Sequence, residues 1–411
     1  MEKKNKLWTR DFTMITVGTV VSMFGNSLAG FALGLLVLDY TGSTFLYALY
    51  LFLYTFPKIV APILAGPYLD KFSRKKTIYT LDFIISAIFI VFATSIQFGW
   101  FNFTILIVGA FLMGAIDSIY QVAYSSLYPM LITEGNYQKA YSITSVLETI
   151  TVLMVPISAF VYNTIGIAPL LFINASTFFV AAVMETQIKH VEEYSEVRKD
   201  EEYGMKKYFG DFKDGLQYLM KDKGLLAICL YFAFISFSGG VESVLQLPYF
   251  KGHYADGEYV YIGVMVGAVI GRFLGGLTYY KFSIPTKRKY TISLIAYITM
   301  YVISAVYLFT PTMVMFGCMF LSGLLGVTTY NIRISATQSY VPHERKGRFN
   351  GTFQMMCTCG MLLGEVVGGG LSLVANERIV MAGTAVCCAV AAVVLIGGNK
   401  KHVSKIYNRD A

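Results

Sequence analysis

Six ionisable side chains inside long apolar stretches of this sequence are functional candidates, because charges are rare in such stretches. They are Lys58, Asp117, Glu148, Glu242, Arg272 and Glu365. Placing a charge at the depth of a bilayer costs about 3 kcal/mol or more, so such residues are usually retained for a purpose. The six are therefore candidates for coupling to a proton or ion, for contacting a charged solute, or for static pairing between helices.

Other kinds of chemistry are disfavoured by the motifs. The sequence has no GxxxxGK[ST] nucleotide loop, no HExxH zinc helix and no GxSxG turn, which disfavours a nucleotide-driven pump and an enzyme. All four histidines fall in polar connections and all six cysteines in apolar segments, so we expect neither a metal centre nor a disulfide framework. The net charge of +8 comes from short basic segments rather than one basic face, so no nucleic-acid partner is expected.

The elements that must position the six charges are apolar stretches of about 20 residues or more, the length of a helix that crosses a bilayer. They cover residues 12–38, 45–69, 77–96, 102–123, 140–161, 168–187, 225–248, 259–280, 290–309, 313–337, 350–374 and 379–398. With 55% hydrophobic and 14% charged residues, the chain has more apolar surface than one globular core buries. Because no stretch alternates like a barrel strand, we predict an all-α integral membrane protein with these twelve transmembrane helices.

Basic residues are unequally divided between the two sides that twelve crossings define. One side holds both termini, Lys139 and the connections after the second, eighth and tenth stretches, whereas the other holds only Lys251 and Arg378. Connections rich in Lys and Arg face the cytosol. We therefore predict a multi-pass protein of the cell membrane, specifically the bacterial cytoplasmic membrane, with both termini in the cytosol.

A long polar segment separates two groups of six stretches. We predict an N-terminal six-helix bundle at 1–187, a cytosolic linker at 188–224, a C-terminal six-helix bundle at 225–398 and a cytosolic basic tail at 399–411. The end of the linker has the spacing of a helix lying on the membrane surface, or equally of a solvated linker helix. The apolar residues with this spacing are Phe212, Leu216, Leu219 and Met220.

Two segments recur at nearly the same interval. GPYLDKFSRKK begins at Gly66 and GLTYYKFSIPTKRK begins at Gly276, 210 residues later. Residues 140–159 match residues 349–368 at an offset of 209. The agreement predicts that the two bundles are pseudo-symmetric copies of one another.

Small and aromatic residues repeat on single helical faces. In the eighth stretch Gly263, Gly267, Gly271 and Gly275 share a face, which predicts close packing on a neighbouring helix. Tyrosines at helical spacing in the second and fourth stretches are candidates for lining a cavity, although interfacial belts are their commoner use. The cavity candidates are Asn26, Tyr50, Tyr54, Tyr120 and Tyr124.

The connection after the second stretch contains a glycine, an aspartate and paired basic residues, namely Gly66, Asp70, Lys71, Arg74 and Lys75. The glycine permits close helix approach, the aspartate can cap the next helix or pair with a cation, and the basic residues hold the turn at the cytosolic surface. This pattern resembles the conformational motif of the major facilitator superfamily. A basic topological anchor is the alternative interpretation.

Further segments resemble the macrolide-efflux and enterobactin-exporter branch of that superfamily, at 21–44, 171–183, 209–219 and 336–351. The resemblance implies alternating access between two bundles and proton-coupled export of an amphipathic small molecule of the drug, macrolide or siderophore type. We expect a monomer in the lipid bilayer, with a small-molecule substrate and no cofactor besides a proton gradient. Import of a nutrient or lipid, and a sensor or binding protein that does not transport, remain alternatives.

The resemblance also implies which charges meet, because in that fold the fifth helix packs on the eighth and the second on the eleventh. Glu148 and Arg272 lie roughly 12–14 Å from the cytosolic helix ends, whereas Lys58 and Glu365 lie roughly 18 and 26 Å deep. We predict that Glu148 with Arg272, and secondarily Lys58 with Glu365, latch the two bundles until an acid is protonated. Static pairing is the alternative.

Overall fold

The computed structural model describes residues 6–61, 73–133, 154–189, 205–281, 284–342 and 345–409, together with 136, 139, 140, 143 and 147. Over these ranges the chain is helical, with short 3-10 and π turns and no strand. The helices are α1 (Arg10–Thr41), α2 (Thr44–Ala61), α3 (Arg74–Gln97), α4 (Phe103–Leu127), α5 (Met154–Ile165), α6 (Ile167–Thr186), α7 (Met205–Lys221), α8 (Lys223–His253), α9 (Gly257–Lys281), α10 (Lys289–Val306), α11 (Thr312–Tyr340), α12 (Lys346–Leu371), α13 (Glu377–Ala391) and α14 (Lys400–Tyr407).

Ten helices in the described part of the chain are long and apolar enough to cross a membrane. Two predicted stretches have no helix in that group. Most of the fifth stretch lies outside the described residues, and its described end belongs to the short apolar helix α5. The eleventh is the 26-residue α12, whose glycines and Glu365 lower its hydropathy. The predicted class, an all-α integral membrane fold, is confirmed.

Side-chain caps explain where several of these helices begin. Thr9, Asn102 and Asp222 each accept hydrogen bonds from backbone N–H groups of the following turn, over 2.9–3.2 Å. These bonds satisfy donors that a helix start leaves unpaired, which matters most in an apolar environment. At the other end of α1, Gly42 adopts a φ of 61°, a left-handed conformation that glycine tolerates without strain.

The chain forms two compact units. Residues 1–46 and 50–206 belong to the first unit, and residues 47–49 and 207–411 to the second. In the first unit α1 packs on α5 and α6, α3 packs on α4 and α6, and α2 approaches α4.

The second unit repeats this pattern of helix pairs. There α8 packs on α12 and α13, α10 packs on α11 and α13, and α9 packs on α11. Each of these pairs corresponds to a pair in the first unit when the first six stretches are matched in order to the last six. The two bundles are therefore pseudo-symmetric, as the sequence repeat predicts.

Two helices outside the spans pack on the second unit. In α7, Leu219 is fully buried whereas Met220 is 56% exposed, so the predicted apolar face is divided between core and surface. The side chain of Phe212 lies outside the described residues. In the same core cluster as Leu219, α14 buries Val403, Ile406 and Tyr407 completely, which adds a packed helix to the region predicted as a basic tail.

Candidate functional site

An ion pair joins α2 and α4 inside the first unit. Lys58 Nζ lies 3.0 Å from Asp117 Oδ2, and the Tyr54 hydroxyl donates a hydrogen bond to the same oxygen over 3.3 Å. The ammonium also lies 4.3 Å from the centroid of the Tyr54 ring, within the range of a cation–π contact. Each charge is therefore neutralised by the other, while the two side chains remain 35% and 27% exposed.

Gly114 allows α2 and α4 to approach closely enough for this pair. A Cβ at Gly114 would lie 2.0 Å from the carbonyl oxygen of Tyr54, so any larger residue would force the helices apart. From sequence, Glu365 is the predicted partner of Lys58. The partner that the structure shows is Asp117, which belongs to the same unit.

Glu242 lies among helices of the second unit. The Ser304 hydroxyl of α10 donates a hydrogen bond to Glu242 Oε1 over 3.0 Å. The hydroxyls of Tyr261, Tyr301 and Tyr307 are near enough to interact electrostatically with the same carboxyl group. The site therefore surrounds one acid with hydroxyl groups rather than with a cation in the described part of the chain.

The other predicted charges differ in their surroundings. Glu365 is 1% exposed in α12, whereas Arg272 is exposed on α9. Glu148 lies outside the described residues. The latch between Glu148 and Arg272 accordingly stays a prediction.

Part of the predicted conformational motif is visible at the start of α3. Arg74 Nη1 donates to the sulfur of Met130 over 3.3 Å, and Lys75 Nζ donates to the carbonyl oxygen of Ile188, just after α6. Gly66, Asp70 and Lys71 lie outside the described residues. The two visible basic residues therefore tie the start of α3 to neighbouring helix ends within the first unit.

The predicted cavity residues have several kinds of contact. Tyr120 and Tyr124 of α4 and Tyr128 just after it stack on one another, with ring centroids 5.9 and 5.1 Å apart. These stacking contacts mean that the three tyrosines pack on one another inside the unit. On the other helices, Tyr50 is 5% exposed, Tyr54 contacts the ion pair described above, and Asn26 is exposed.

Two buried acids are functional candidates that the sequence reasoning missed. Asp82 of α3 and Glu185 of α6 are 1% and 0% exposed, and their carboxyl groups lie within hydrogen-bonding reach of each other. The Tyr120 hydroxyl donates to Glu185 Oε1 over 3.4 Å. Tyr120 thus connects this acid pair to the tyrosine stack of α4.

A third missed residue is Arg333 of α11. Its guanidinium lies 5.0 Å from the ring centroid of Phe232, 5.1 Å from that of Tyr330 and 4.8 Å from that of Phe353. Among the described residues, its Nε has no hydrogen-bond partner and no carboxylate forms a salt bridge with it. The site is a cation surrounded by aromatic faces, which suits an anionic or aromatic group.

The signal for all three residues was present in the sequence. Asp82, Glu185 and Arg333 lie within the third, sixth and tenth predicted stretches, so the criterion of an ionisable residue in an apolar stretch applies to them as well. No group of three His, Cys, Asp or Glu side chains is placed to bind a metal in the part of the chain that the structure describes. The chemistry that these sites offer is proton binding and contact with a charged solute.

Comparison with known sequences identifies the family to which these features belong. A family model described as Major Facilitator Superfamily matches residues 15–365. A curated relative, the uncharacterized MFS-type transporter YkuC of Bacillus subtilis (strain 168), is 24% identical over 280 residues, which is 64% of this chain. The chain spans 65% of the length of that relative.

Solved structures resemble the fold over nearly the whole chain. The nucleoside transporter NupG matches with a TM-score of 0.64 and 15% identity, covering 93% of this chain and 98% of NupG. A bacterial homologue of the iron transporter ferroportin, in an inward-facing state, matches with a TM-score of 0.71 and 13% identity, covering 96% and 99%. At these identities the likeness shows the fold and carries no information about the solute.

Proposed function

Because this chain belongs to the major facilitator superfamily, we propose that it is a secondary active transporter that exports an amphipathic small molecule in exchange for protons. It works in the cell membrane, with both termini in the cytosol, and as a monomer. It performs no chemical conversion of its substrate. The drug, macrolide and siderophore classes are the solutes that the sequence resemblance favours.

The observation that carries the proposal is the repeated pattern of helix pairs in two separately compact units. Alternating access in such folds is a movement of one bundle relative to the other around a fixed binding site. Units that each contain their own packed helices and their own ion pair or buried acid are suited to moving as bodies. Two bundles that shared a single fused core would not be suited to such a movement.

Arg333 supports an amphipathic solute that carries an anionic group. A guanidinium in a membrane helix without a carboxylate partner leaves a positive charge to be compensated, and bidentate binding of a carboxylate or similar anion does this efficiently. The rings of Phe232, Tyr330 and Phe353 around it offer faces for an aromatic portion of the same solute. Among the three classes, this chemistry favours a siderophore-type solute.

Transport by inside-out membrane vesicles tests the proposal. The probes are ethidium, erythromycin and dihydroxybenzoylserine, which represent a cationic drug, a macrolide and an acidic siderophore fragment. We expect accumulation of dihydroxybenzoylserine above the level of protein-free vesicles, driven by an imposed proton gradient and lost when the gradient is dissipated. Binding without accumulation for every probe would instead favour a sensor.

The same assay, with vesicles of both orientations and with two arginine variants, tests the direction of transport and the role of Arg333 in binding the solute. Accumulation only in right-side-out vesicles would show import and overturn export. Replacing Arg333 by Gln should abolish accumulation of the acidic probe. The control Arg378→Gln removes another arginine that lies over a ring, 3.8 Å from the centroid of Phe309, and should leave it unchanged.

A further inference from the structure

The acid pair in the first unit is enclosed on every side by the bundle. Asp82 projects from α3 and Glu185 from α6, and both side chains are buried almost completely. On the α1 side, a Cβ at Gly18 would lie 3.5 Å from Glu185 Cγ, which is ordinary contact distance. The pair is therefore in a packed protein interior rather than at the lipid or water surface.

Several buried oxygen atoms at this place have no partner of standard geometry. In the described part of the chain these are one oxygen of each carboxyl group, Asp82 Oδ2 and Glu185 Oε2, and the hydroxyl oxygen of Thr19. Thr19 is 8% exposed and reaches the Tyr120 hydroxyl from α1. A buried hydroxyl on α1 thus lies beside Tyr120, whose own hydroxyl donates to Glu185.

The groups that act on the two carboxyls are neutral or acidic. They are Tyr120 from α4 and each acid toward the other from α3 and α6, while Thr19 of α1 and Tyr124 of α4 interact with Tyr120. One cation at the start of α3 is engaged at the helix end. The ammonium group of Lys75 donates to the Ile188 carbonyl oxygen. No lysine or arginine in the described residues acts on either carboxyl.

Two carboxylates without a cation cannot both be ionised in such a place. Burial disfavours each charge, and two like charges in contact disfavour each other further. A hydrogen bond between two carboxyl groups also requires a proton, since an ionised carboxylate can only accept. The observed contact therefore needs one proton to be held by the pair.

We propose that Asp82 and Glu185 form a binding site for a single proton inside the first unit. The proton lies between the two carboxyl groups, and the Tyr120 hydroxyl stabilises the remaining negative charge on Glu185. Because Tyr120 belongs to α4, which also holds Asp117, a movement of α4 that removes this hydroxyl changes the affinity for the proton. The role of this proton in driving transport rests on the proposed function; its binding does not.

Infrared absorption of the purified protein in lipid nanodiscs tests proton binding without a substrate. At neutral pH the wild type should show the C=O absorption of a buried protonated carboxyl. The difference spectrum against the Asp82→Asn/Glu185→Gln variant should contain this band, since Glu242 remains in both proteins. Amides have the shape of protonated carboxyls and donate hydrogen bonds, so the variant is expected to fold. If it does not, the single variant Glu185→Gln provides the comparison, with the band lost or shifted.

The control is Asp256→Asn, which removes an exposed acid between α8 and α9 and should leave the band unchanged. An unchanged band in the pair variants would overturn the proposal. A band that disappears at constant pH on adding calcium or sodium chloride would also overturn it, because the pair would then bind a metal cation.

The part of the proposal that concerns coupling is tested by transport of dihydroxybenzoylserine. The pair variant should exchange the probe across the membrane yet no longer accumulate it in response to a proton gradient. Gradient-driven accumulation by the variant would overturn the coupling. Failure of the wild type to transport any probe would instead overturn the proposed function, while the infrared result would still decide proton binding.

Discussion

At the scale of single residues, several charges in the apolar helices of this protein have local partners. Lys58 has Asp117 and the Tyr54 ring, and Glu242 has the Ser304 hydroxyl. Such contacts reduce the cost of removing a charge from water, which an isolated charge would carry in full. They also mean that replacing one partner alone harms the other.

The ion pair of α2 and α4 gives a prediction at this scale. Lys58→Met and Asp117→Leu should each lower the thermal midpoint of unfolding in detergent, because each leaves one charge without its partner. The double variant should be more stable than the sum of the single effects predicts, by about 1 kcal/mol, since the pair is partly exposed. Additive effects in this double-mutant cycle would show that the two charges do not interact.

At the scale of helices, close approach depends on glycine. A Cβ at Gly271 would lie 2.0 Å from the carbonyl oxygen of Phe320 on α11, and Gly267 and Gly275 approach the same helix. Gly263 belongs to the same predicted face but has open space around it. The stripe read from sequence is thus a packing surface along three of its four positions.

This difference supplies a matched pair of variants. Gly271→Ala should destabilise the second unit by about 1–3 kcal/mol, because the helices must separate to admit the methyl group. Gly263→Ala makes the same chemical change in open space and should leave the unfolding midpoint nearly unchanged. Equal midpoints for the two variants would contradict the packing described for α9 and α11.

The C-terminal helix gives a second prediction at this scale. Tyr407 is fully buried, its hydroxyl lies 3.2 Å from that of Tyr297, and burial raises its pKa well above the ordinary value, so it stays neutral. Tyr407→Ala should cost about 3–5 kcal/mol of stability, as for other large buried side chains. Lys401→Ala alters an exposed residue of the same helix and should have little effect on the same denaturation curve.

At the scale of the whole molecule, transport requires the two units to change their relation during the cycle. The predicted latch between Glu148 and Arg272 would act at this scale, by holding one state until the acid is protonated. Its alternative, static pairing, would stabilise the fold without responding to pH.

A charge exchange tests the latch. Arg272→Glu alone should abolish gradient-driven accumulation, because two acids would then face each other. Adding Glu148→Arg should restore accumulation, since the opposite charges are re-formed with their positions exchanged. If the double variant is as inactive as the single one, the two residues do not form the predicted pair.

The sequence by itself determined the membrane class, ten of the spans and the repeat. The spans could be predicted because bilayer thickness sets the length of an apolar helix. Basic connections and duplicated segments can likewise be read directly from the order of the residues. The sequence also located most ionisable residues at membrane depth, and the same rule would have found Asp82, Glu185 and Arg333. What only the tertiary structure decided is which of them meet. Helical periodicity fixes the face on which a residue lies but not the neighbour that covers that face, so Lys58 pairs with Asp117 and Asp82 with Glu185 through contacts between helices distant in the chain.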